Sequence, residues 1–438
     1  MKHITLSLIG GLASLGLGTA AHAQTPGNVV LIIADDLGTD QVGLYGLNAD
    51  PAPTPNIDQL AQGGQIYREA WANPTCSPTR ASIYTGRHAF RHGVGAPITD
   101  DQDAELAVGE TTLPELLSSA GYDNALIGKW HLGDAGTEAA PCAAPTDNGF
   151  ATFRGALDAA LSDHYDWDKC VGTRESHSTT WSATDNVDDA LAFLQGPRTG
   201  PFLLTVAFNL THTPWQIPPA GAYSDAGRCP INGRTTMTNR DCYRTMIESL
   251  DVEIGRLMTG IDLTNTTVIF VGDNGTPGQG TATDTYPGNK AKGTVYQGGV
   301  KVPMIIKSPA ISDAGWVEAP IEALDIFATV AELAGVTSTT SVDSNSLVPF
   351  FSQRTHAPLQ PTIYSEGFDG ADDCSAGDAA AIRGARYKLI RDACQTDELY
   401  DLENDPYEAT DLLQGTLTVR EQAAYTMLSQ AMVSLRGH

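Results

Sequence analysis

Val29-Val30-Leu31-Ile32-Ile33-Ala34-Asp35-Asp36 is the stretch that indicates how this chain folds. Its first six residues form a continuous apolar run, which is typical of a strand buried on both faces of a parallel sheet. Two carboxylates follow at the carboxyl end, where the strands of open α/β sheets line a ligand crevice. The stretch therefore predicts an α/β fold with reactive side chains at the end of this strand.

Three further apolar runs end in the same way, in polar side chains. They are residues 125–128 before Lys129 and His131, residues 202–208 before His212, and residues 267–271 before Asp273 and Asn274. Helical signals lie between these runs, at residues 54–60, 112–120, 241–258 and 323–334. The alternation predicts a large, mixed but mostly parallel sheet flanked by helices, with its strand ends meeting at a single site.

The pattern changes beyond about residue 345. Residues 387–390 and 398–402 resemble short antiparallel strands, and residues 419–435 resemble a final helix. We therefore predict a main domain over residues 24–345 and a smaller C-terminal subdomain over residues 346–438, made of antiparallel strands plus a helix.

The first 23 residues contain a basic start, a short apolar stretch and an Ala-His-Ala site. This order is typical of a secretory signal peptide cut after Ala23. A membrane anchor is the alternative, but the apolar stretch is short and interrupted by Gly. We expect a secreted or periplasmic protein without a membrane anchor after signal cleavage.

Export places the seven cysteines in an oxidising compartment, where cysteines pair and an odd count leaves one over. Sequence neighbours suggest three disulfide bonds as a hypothesis, because connectivity does not follow from sequence alone. They are Cys142 with Cys170, Cys229 with Cys242, and Cys374 with Cys394. Cys76 is then the unpaired cysteine.

The 438-residue chain has 26 Lys and Arg against 52 Asp and Glu, a formal net charge of −26. Long-range repulsion by this charge argues against nucleic acid and highly anionic polymers as partners, and acidity that only keeps an exported protein in solution is the simpler interpretation. The hydrophobic fraction of 41% is ordinary for a soluble protein. No second apolar stretch in the sequence is long enough to span a bilayer.

Asp35, Asp36, Asp273 and Asn274 offer oxygen ligands with no Cys or His among them. Such a set suits Ca²⁺ or Mg²⁺ and argues against zinc. A single Asp pair more often caps a helix or lies in a solvated turn. The second polar pair, which also follows a buried strand, favours a metal site.

Cys76 opens the run Cys-Ser-Pro-Thr-Arg-Ala-Ser-Ile-Tyr-Thr-Gly-Arg, which ends at Arg87. The run predicts a helix that begins near Pro78 and whose N-terminal dipole favours an anion. A lone cysteine is more often a buried structural residue, but Arg80 lies one helical turn later and can reach back toward the metal site. Lys292, in a Gly-rich turn, adds a further cation.

The remaining candidates are the basic side chains at strand ends, Lys129, His131 and His212. The first two alternate at strand spacing, so both can face the crevice. Taken singly, each is more often structural or solvent-facing. Taken with Arg80 and Lys292, they form an anion-binding constellation.

The Cys76 run resembles the signature of the type I sulfatases, C-x-P-x-R followed by a hydrophobic residue and T-G-R. Family patterns also occur at residues 34–38, 128–133, 272–275 and 399–406 and around Lys292. The resemblance implies an alkaline-phosphatase-like α/β fold, a catalytic sulfatase domain over residues 24–345, and oxidation of Cys76 to formylglycine by a maturation enzyme. It also implies a calcium ion, with magnesium as the less favoured choice, bound by Asp35, Asp36, modified Cys76, Asp273 and Asn274.

The same resemblance implies roles for the basic side chains. Arg80 and Lys129 would hold the formylglycine, and Lys129 and Lys292 would bind the sulfate. His212 and Lys292 would face the leaving group, and His131 would be the base whose action releases sulfate.

The implied reaction is hydrolysis of an aryl, alkyl or carbohydrate sulfate ester to an alcohol and inorganic sulfate. The acidic composition favours a small aryl or alkyl ester over a densely sulfated polysaccharide. Two alternatives stay open: a phosphonate monoester or phosphodiester hydrolase of the same superfamily, and a non-catalytic anion-binding protein if Cys76 remains a thiol. The chain departs from the family pattern at Thr79, Gln297 and Lys301, where Ser, Glu and Arg are usual.

Overall fold

A computed structural model describes residues 27–99, 105–133, 140–223, 240–281, 285–336, 342–369, 378–394 and 396–436. The predicted signal peptide over residues 1–23 lies outside these ranges. Within them, none of the helices combines the length and the apolar character that crossing a bilayer requires.

The strands, numbered in chain order, are β1 Asn28–Ala34, β2 Gln65–Tyr67, β3 Ala70–Trp71, β4 Asp123–Gly128, β5 Thr152–Gly155, β6 Trp167–Val171, β7 Arg174–Ser178, β8 Phe202–Ala207, β9 Thr266–Gly272, β10 Met304–Lys307, β11 Gly315–Val317, β12 Ile321–Glu322, β13 Ile363–Gly367, β14 Ala379–Arg383, β15 Tyr387–Asp392 and β16 Asp397–Asp401.

The α-helices are α1 Pro55–Ala61, α2 Cys76–Thr85, α3 Ala89–His92, α4 Leu113–Ser118, α5 Ala144–Asp147, α6 Ser182–Gln195, α7 Arg240–Met258, α8 Gln297–Val300, α9 Asp325–Leu333, α10 Val348–Ser352 and α11 Val419–Arg436. Short 3₁₀ helices lie at Thr39–Gln41, Gly43–Tyr45, Pro141–Ala143, Gly288–Lys290 and Leu412–Gln414.

The main sheet has the strand order β11-β2-β10-β9-β1-β8-β4-β5-β6-β7. Its centre, from β9 through β1, β8 and β4 to β5, is parallel, and antiparallel pairs involve β10 with β2 and β9, β6 with β5, and β7 with β6. This arrangement confirms the predicted mixed and mostly parallel sheet. The hairpin of β6 and β7 was not predicted.

Burial on both faces explains the continuous apolar run of β1. Side chains alternate across a strand, and the odd-numbered residues from Val29 to Ile33 enter one core while the even-numbered residues from Val30 to Ala34 enter the other. Helices α2, α4 and α9 pack together on the first side, and α1, α6 and α7 on the second. The central strands therefore have no solvent-facing side that would require polar residues.

The C-terminal part forms a second, four-stranded antiparallel sheet with the order β13-β14-β15-β16. The predicted strands at residues 387–390 and 398–402 correspond to β15 and β16, and the predicted final helix corresponds to α11. Leu428 and Met432 of α11 pack on one face of this sheet. The other face contacts Trp71, Val295 and Val300 of the main domain. The predicted division at residue 345 stays a prediction.

A disulfide bond joins Cys142 to Cys170, which confirms the first predicted pair. Cys242 and Cys394 are also disulfide-bonded. Their predicted partners, Cys229 and Cys374, lie outside the described residues, so these two pairings stay predictions. Among the described residues, Cys76 is the free cysteine, and it is buried.

Candidate active site

The register of two central strands brings the acidic residues together. Ala34 of β1 pairs with Gly272 of β9, so Asp35 and Asp273 leave the sheet side by side. The main-chain N–H of Asp36 donates to Oδ1 of Asp273 at 3.0 Å. Carboxylate oxygens of these three aspartates lie within 4.8 Å of one another, and all three side chains are buried.

The donor set fits a hard divalent cation. Oδ1 of Asp35 and Oδ1 of Asn274 are buried without a hydrogen-bond partner among the described residues. The amide nitrogen of Asn274 donates to Oδ1 of Asp36 at 2.8 Å, which leaves its oxygen available for a metal. Oxygen ligands at this density are typical of calcium and magnesium sites. The resemblance also implies the modified side chain of Cys76 as a ligand, which stays a prediction; the thiol of Cys76 does not belong to the cluster of three aspartates.

The charges within the cluster oppose one another. Burial and the neighbouring charge of Asp35 raise the pKa of Asp273 to about 7. Burial also disfavours the ionised form of Asp35, but Lys129 and other cations hold its pKa below the ordinary value. A bound cation would relieve this repulsion, because it favours the charged form of every carboxylate around it.

Two residues that the sequence analysis missed hold the backbone of the aspartate pair. The hydroxyl of Thr211 donates to the main-chain oxygens of Asp35 and Asp36 at 3.2 and 3.3 Å. The hydroxyl of Tyr243, on α7, donates to the oxygen of Asp36 at 2.6 Å. Asp36 has a left-handed backbone with φ of 61°, a conformation that persists where the surrounding structure holds it, as these hydrogen bonds do. The position of Thr211 next to His212 was an available signal, whereas nothing in the sequence marked Tyr243.

Helix α2 begins at Cys76 itself and not near Pro78, which corrects the predicted start. Pro78 is the third helical residue. The first four N–H groups of a helix have no partner within it, so a proline without an N–H is tolerated at the third position as well as at the first. Cys76 is 1% exposed. Burial raises the pKa of its thiol, so the unmodified side chain is not activated for attack.

His131 contacts Cys76 directly. Its Nδ1 lies 3.2 Å from Sγ of Cys76, and its Nε2 lies 2.9 Å from the main-chain oxygen of Ile98. A carbonyl only accepts, so Nε2 carries the proton and Nδ1 turns its lone pair to Cys76. Burial and Lys129 lower the pKa of His131 well below its ordinary value, which keeps the ring neutral.

The predicted strand spacing did not place Lys129 and His131. Strand β4 ends at Gly128, and His131 has a left-handed backbone with φ of 56°. The chain therefore turns after the strand, and the turn directs both side chains into the site. The prediction that both face the crevice is confirmed, although its geometric reason was wrong.

Arg80 and Lys129 form the closed side of the site, where both are completely buried. Nη2 of Arg80 lies 2.8 Å from Oδ2 of Asp273, and its Nη1 donates to the main-chain oxygen of Lys129 at 3.0 Å. Nζ of Lys129 donates to Oδ2 of Asp35 at 2.6 Å. Arg80 therefore reaches from α2 to the carboxylates, as predicted from its spacing after Cys76.

Lys292 and His212 form the open side, with side chains 19% and 17% exposed. Nζ of Lys292 lies 2.5 Å from Oδ1 of Asp36, and Nε2 of His212 lies 3.8 Å from Oδ2 of the same residue. Although burial opposes its charge, Asp36 raises the pKa of Lys292, which stays protonated. Burial lowers the pKa of His212 despite the nearby carboxylates. Among the site side chains described above, these two are the ones that solvent reaches appreciably.

The three departures from the family pattern keep polar partners. The hydroxyl of Thr79 accepts from the N–H of Asn73 at 2.9 Å. Oε1 of Gln297 accepts from the indole N–H of Trp71 at 2.8 Å, and Nζ of Lys301 donates to Glu69 at 2.7 Å.

The aromatic side chains of His164, Trp167 and Trp215 are buried. His164 lies beneath the site, with Nε2 3.4 Å from the main-chain oxygen of His212.

Comparison with known proteins gives one family. The Sulfatase model matches residues 27–336, and the model of the N-sulphoglucosamine sulphohydrolase C-terminal region matches residues 288–436. Rat (Rattus norvegicus) N-acetylgalactosamine-6-sulfatase is 30% identical over 398 residues, which cover 81% of this chain and 71% of that protein. Mouse (Mus musculus) arylsulfatase J is 30% identical over 321 residues, 68% of this chain, and the chain spans 50% of its length.

Among solved structures, the crystal structure of Ps i-CgsB in complex with k-i-k-neocarrahexaose superposes with a TM-score of 0.77 at 25% identity. The match covers 94% of this chain and 93% of that one.

Proposed function

The chain belongs to the sulfatase family of sulfuric ester hydrolases, and on that premise we propose that it cleaves its sulfate ester with a formylglycine formed from Cys76, beside a calcium ion. One observation carries this proposal. The free, buried Cys76 is the first residue of α2, and its Sγ contacts Nδ1 of His131. Cations and carboxylates at the strand ends surround it.

The two groups supply chemistry that the unmodified chain lacks: the hydrated aldehyde offers a hydroxyl nucleophile, and calcium offers positive charge to the sulfate oxygens. The residues that would hold the cation are Asp35, Asp36, Asp273 and Asn274, all of which are buried. In the structure, Sγ of Cys76 stands where the oxygens of the modified residue would lie.

Lys129 and Lys292 would bind the sulfate oxygens from opposite sides. Lys129 is buried against Asp35, and Lys292 contacts Asp36 at the opening. An anion bound between the two lysines would exchange its hydrating water for fixed positive charge. Such charge stabilises the transition state because it is in place before the reaction. Arg80 would orient the closed side, since it holds both Asp273 and the backbone of Lys129.

Proton transfer would divide between the two faces of the site. Lys292 and His212 lie on the open side, where the departing alcohol needs a proton, and Lys292 is protonated. His131 lies on the side of Cys76, and its unprotonated Nδ1 can accept a proton from a hydroxyl at that position. A protonated Lys292 and the unprotonated Nδ1 of His131 would supply the donor and the acceptor that ester cleavage and sulfate release need.

We propose a saccharide sulfate as the natural substrate class, in place of the small aryl or alkyl ester that the acidic composition favoured. The support is the name N-acetylgalactosamine-6-sulfatase among the relatives, and the oligosaccharide bound in a structural neighbour. Export to the periplasm or the medium and a formylglycine-generating maturation enzyme belong to the same proposal, on the evidence of the N-terminal sequence and the Cys76 run.

The test compares turnover of a nitrophenyl sulfate with that of a phenyl phosphonate ester, using protein from a host that has the maturation enzyme. Mass spectrometry of the peptide over residues 69–80 measures conversion of Cys76, which replaces CH₂SH by CHO. We expect a strong preference for the sulfate that C76A abolishes while the fold is kept. Preference for the phosphonate, or substantial turnover by C76A, would overturn the proposal.

A further inference from the structure

Glu408 of the C-terminal subdomain lies outside the site just described, yet it is completely buried. Its backbone is left-handed, with φ of 57°, although it is not a glycine. Such a conformation persists only when the surroundings hold it in place. The contacts of Glu408 show which segment of the main domain it holds.

Glu408 contacts the turn over residues 290–297, named here the Lys292 turn. Its Oε2 accepts from the main-chain N–H of Gln297 at 2.7 Å. Its main-chain oxygen accepts from Nζ of Lys290. One residue of the C-terminal subdomain therefore binds the Lys292 turn on both sides of Lys292.

Lys388 on β15 completes this arrangement. Its Nζ pairs with Oε1 of Glu408 at 2.5 Å and donates to the main-chain oxygen of Val295 at 2.6 Å. Both partners are fully buried, so removal of either charge leaves the other without compensation. The pair therefore holds the turn at a third point.

The opposite side of the Lys292 turn is attached to the active site. The N–H of Lys292 donates to the oxygen of Thr276 at 3.0 Å, and the N–H of Gly293 donates to the oxygen of Pro74 at 2.9 Å. Pro74 lies two residues before Cys76. The backbone of Lys292 is thus held from one side by these contacts and from the other side by Glu408. Because the lysine side chain is flexible, a fixed backbone limits the region that its ammonium can reach.

We propose that Glu408 is a positioning residue for Lys292, so that the C-terminal subdomain completes the active site. Glu408 touches neither the carboxylates nor Cys76 in the structure, and it acts through the Lys292 turn. The inference rests on the proposed role of Lys292 in binding sulfate. It adds the requirement that the C-terminal subdomain hold the Lys292 turn, which the roles of the strand-end residues do not include.

A double-mutant cycle tests this dependence, because residues that act through one another are not additive. The variants are E408Q, K292A and the double variant, assayed with a nitrophenyl sulfate and normalised to formylglycine content. We expect E408Q to lower kcat/KM by about tenfold to a hundredfold, since small misplacements of a binding group have effects of this size. In the K292A background, E408Q should change kcat/KM by less than about twofold.

E366Q is the matched control. Glu366 is also a buried carboxylate of the C-terminal subdomain that bridges to the main domain, through the N–H of Phe90 at 2.7 Å. Its other side-chain partners among the described residues are Tyr364 and Arg436, which lie outside the Lys292 turn. We expect E366Q to lower the melting temperature and to leave kcat/KM within about twofold, and its effect should persist unchanged in the K292A background. Wild-type kcat/KM in folded E408Q, or additive losses in the double variant, would overturn the inference.

Two provisions keep the test decisive. If E408Q does not fold, K290A replaces it, because it removes a different contact between Glu408 and the Lys292 turn. Lys290 is only half-buried, so its loss should leave the fold intact. If the turnover of K292A is too low to detect, the rise in melting temperature caused by inorganic sulfate is measured for the same variants instead. Failure of the proposed function is distinguishable, since it is decided by C76A turnover and not by any variant of Glu408.

Discussion

Nδ1 of His131 lies 3.2 Å from Sγ of Cys76, and the orientation of the ring is set by a backbone atom. The oxygen of Ile98 accepts from Nε2 at 2.9 Å, so the tautomer does not depend on any other side chain. The lone pair of Nδ1 is thereby directed at the side chain whose oxidation to formylglycine we propose. In the proposed function, this contact places the base next to the reacting residue before any ligand enters.

His131→Ala should separate turnover from sulfate binding. The variant removes the proton acceptor but leaves Lys129 and Lys292 in place, so we expect kcat to fall by about a hundredfold to ten-thousandfold. The inhibition constant of inorganic sulfate should change only a few-fold. Steady-state kinetics with sulfate as inhibitor, on protein of known formylglycine content, measures both. Unchanged kcat would contradict the role of His131.

Calcium should stabilise the protein and chelation should destabilise it. Three buried carboxylates within 4.8 Å of one another repel when no cation is bound. Calcium at a hundredfold excess over its dissociation constant adds about 2.7 kcal/mol to the free energy of unfolding. Thermal denaturation in EGTA, then with calcium or magnesium restored, measures the shift.

Asn274→Ala is the companion variant for the calcium experiment, because it removes the unpaired Oδ1. Its calcium-dependent rise in melting temperature should be smaller than that of the wild type. A melting temperature that is the same in EGTA and in calcium would argue against a metal at this site.

The disulfide bond between Cys142 and Cys170 should contribute measurably to stability. It closes a loop of 28 residues, and loss of such a cross-link lowers the free energy of unfolding by about 3 to 4 kcal/mol through the entropy of the unfolded chain. The double variant C142S/C170S should unfold at lower urea concentration, with near-normal kcat at low temperature. Equal unfolding midpoints for variant and wild type would show that the bond adds nothing.

The central strands and their reactive ends could be predicted because burial leaves a simple mark on the sequence. Residues 29–34 of β1 and 268–271 of β9 are apolar since both faces are covered, and the parallel register of the two strands brings Asp35 beside Asp273. Cys76 and Arg80 were predictable from their spacing on one helix. The hairpin of β6 and the edge strand β7 carries no comparable mark, since β7 is mostly exposed.

The supporting contacts could not be predicted for a different physical reason. Ile98 acts through a main-chain carbonyl, and Tyr243 and Glu408 act on main-chain atoms of distant segments. Every residue has such atoms, so no residue type marks where they are used. These contacts depend on the fold being complete, whereas side-chain chemistry at strand ends depends only on local pattern.

His92 should make the protein less stable as the pH falls below about 6.5. The N–H of Val94 donates to Nδ1 of His92 at 3.2 Å, and Nε2 lies 3.0 Å from the hydroxyl of Ser82, so the folded ring is neutral. Burial lowers its pKa from 6.5 to about 3. Between these values the unfolded chain binds a proton that the folded chain does not, so stability is present above pH 6.5 and is lost as the pH falls toward 3.

The contribution of His92 to this loss is about 1.4 kcal/mol per pH unit in the acid range. His92→Gln cannot take up the proton, so its free energy of unfolding should fall less steeply between pH 6 and pH 4 than that of the wild type. His177→Gln is the control, because His177 is exposed and its neighbours Asp166 and Asp168 raise its pKa. Urea unfolding at several pH values measures the slopes, and parallel curves for wild type and His92→Gln would refute the assignment.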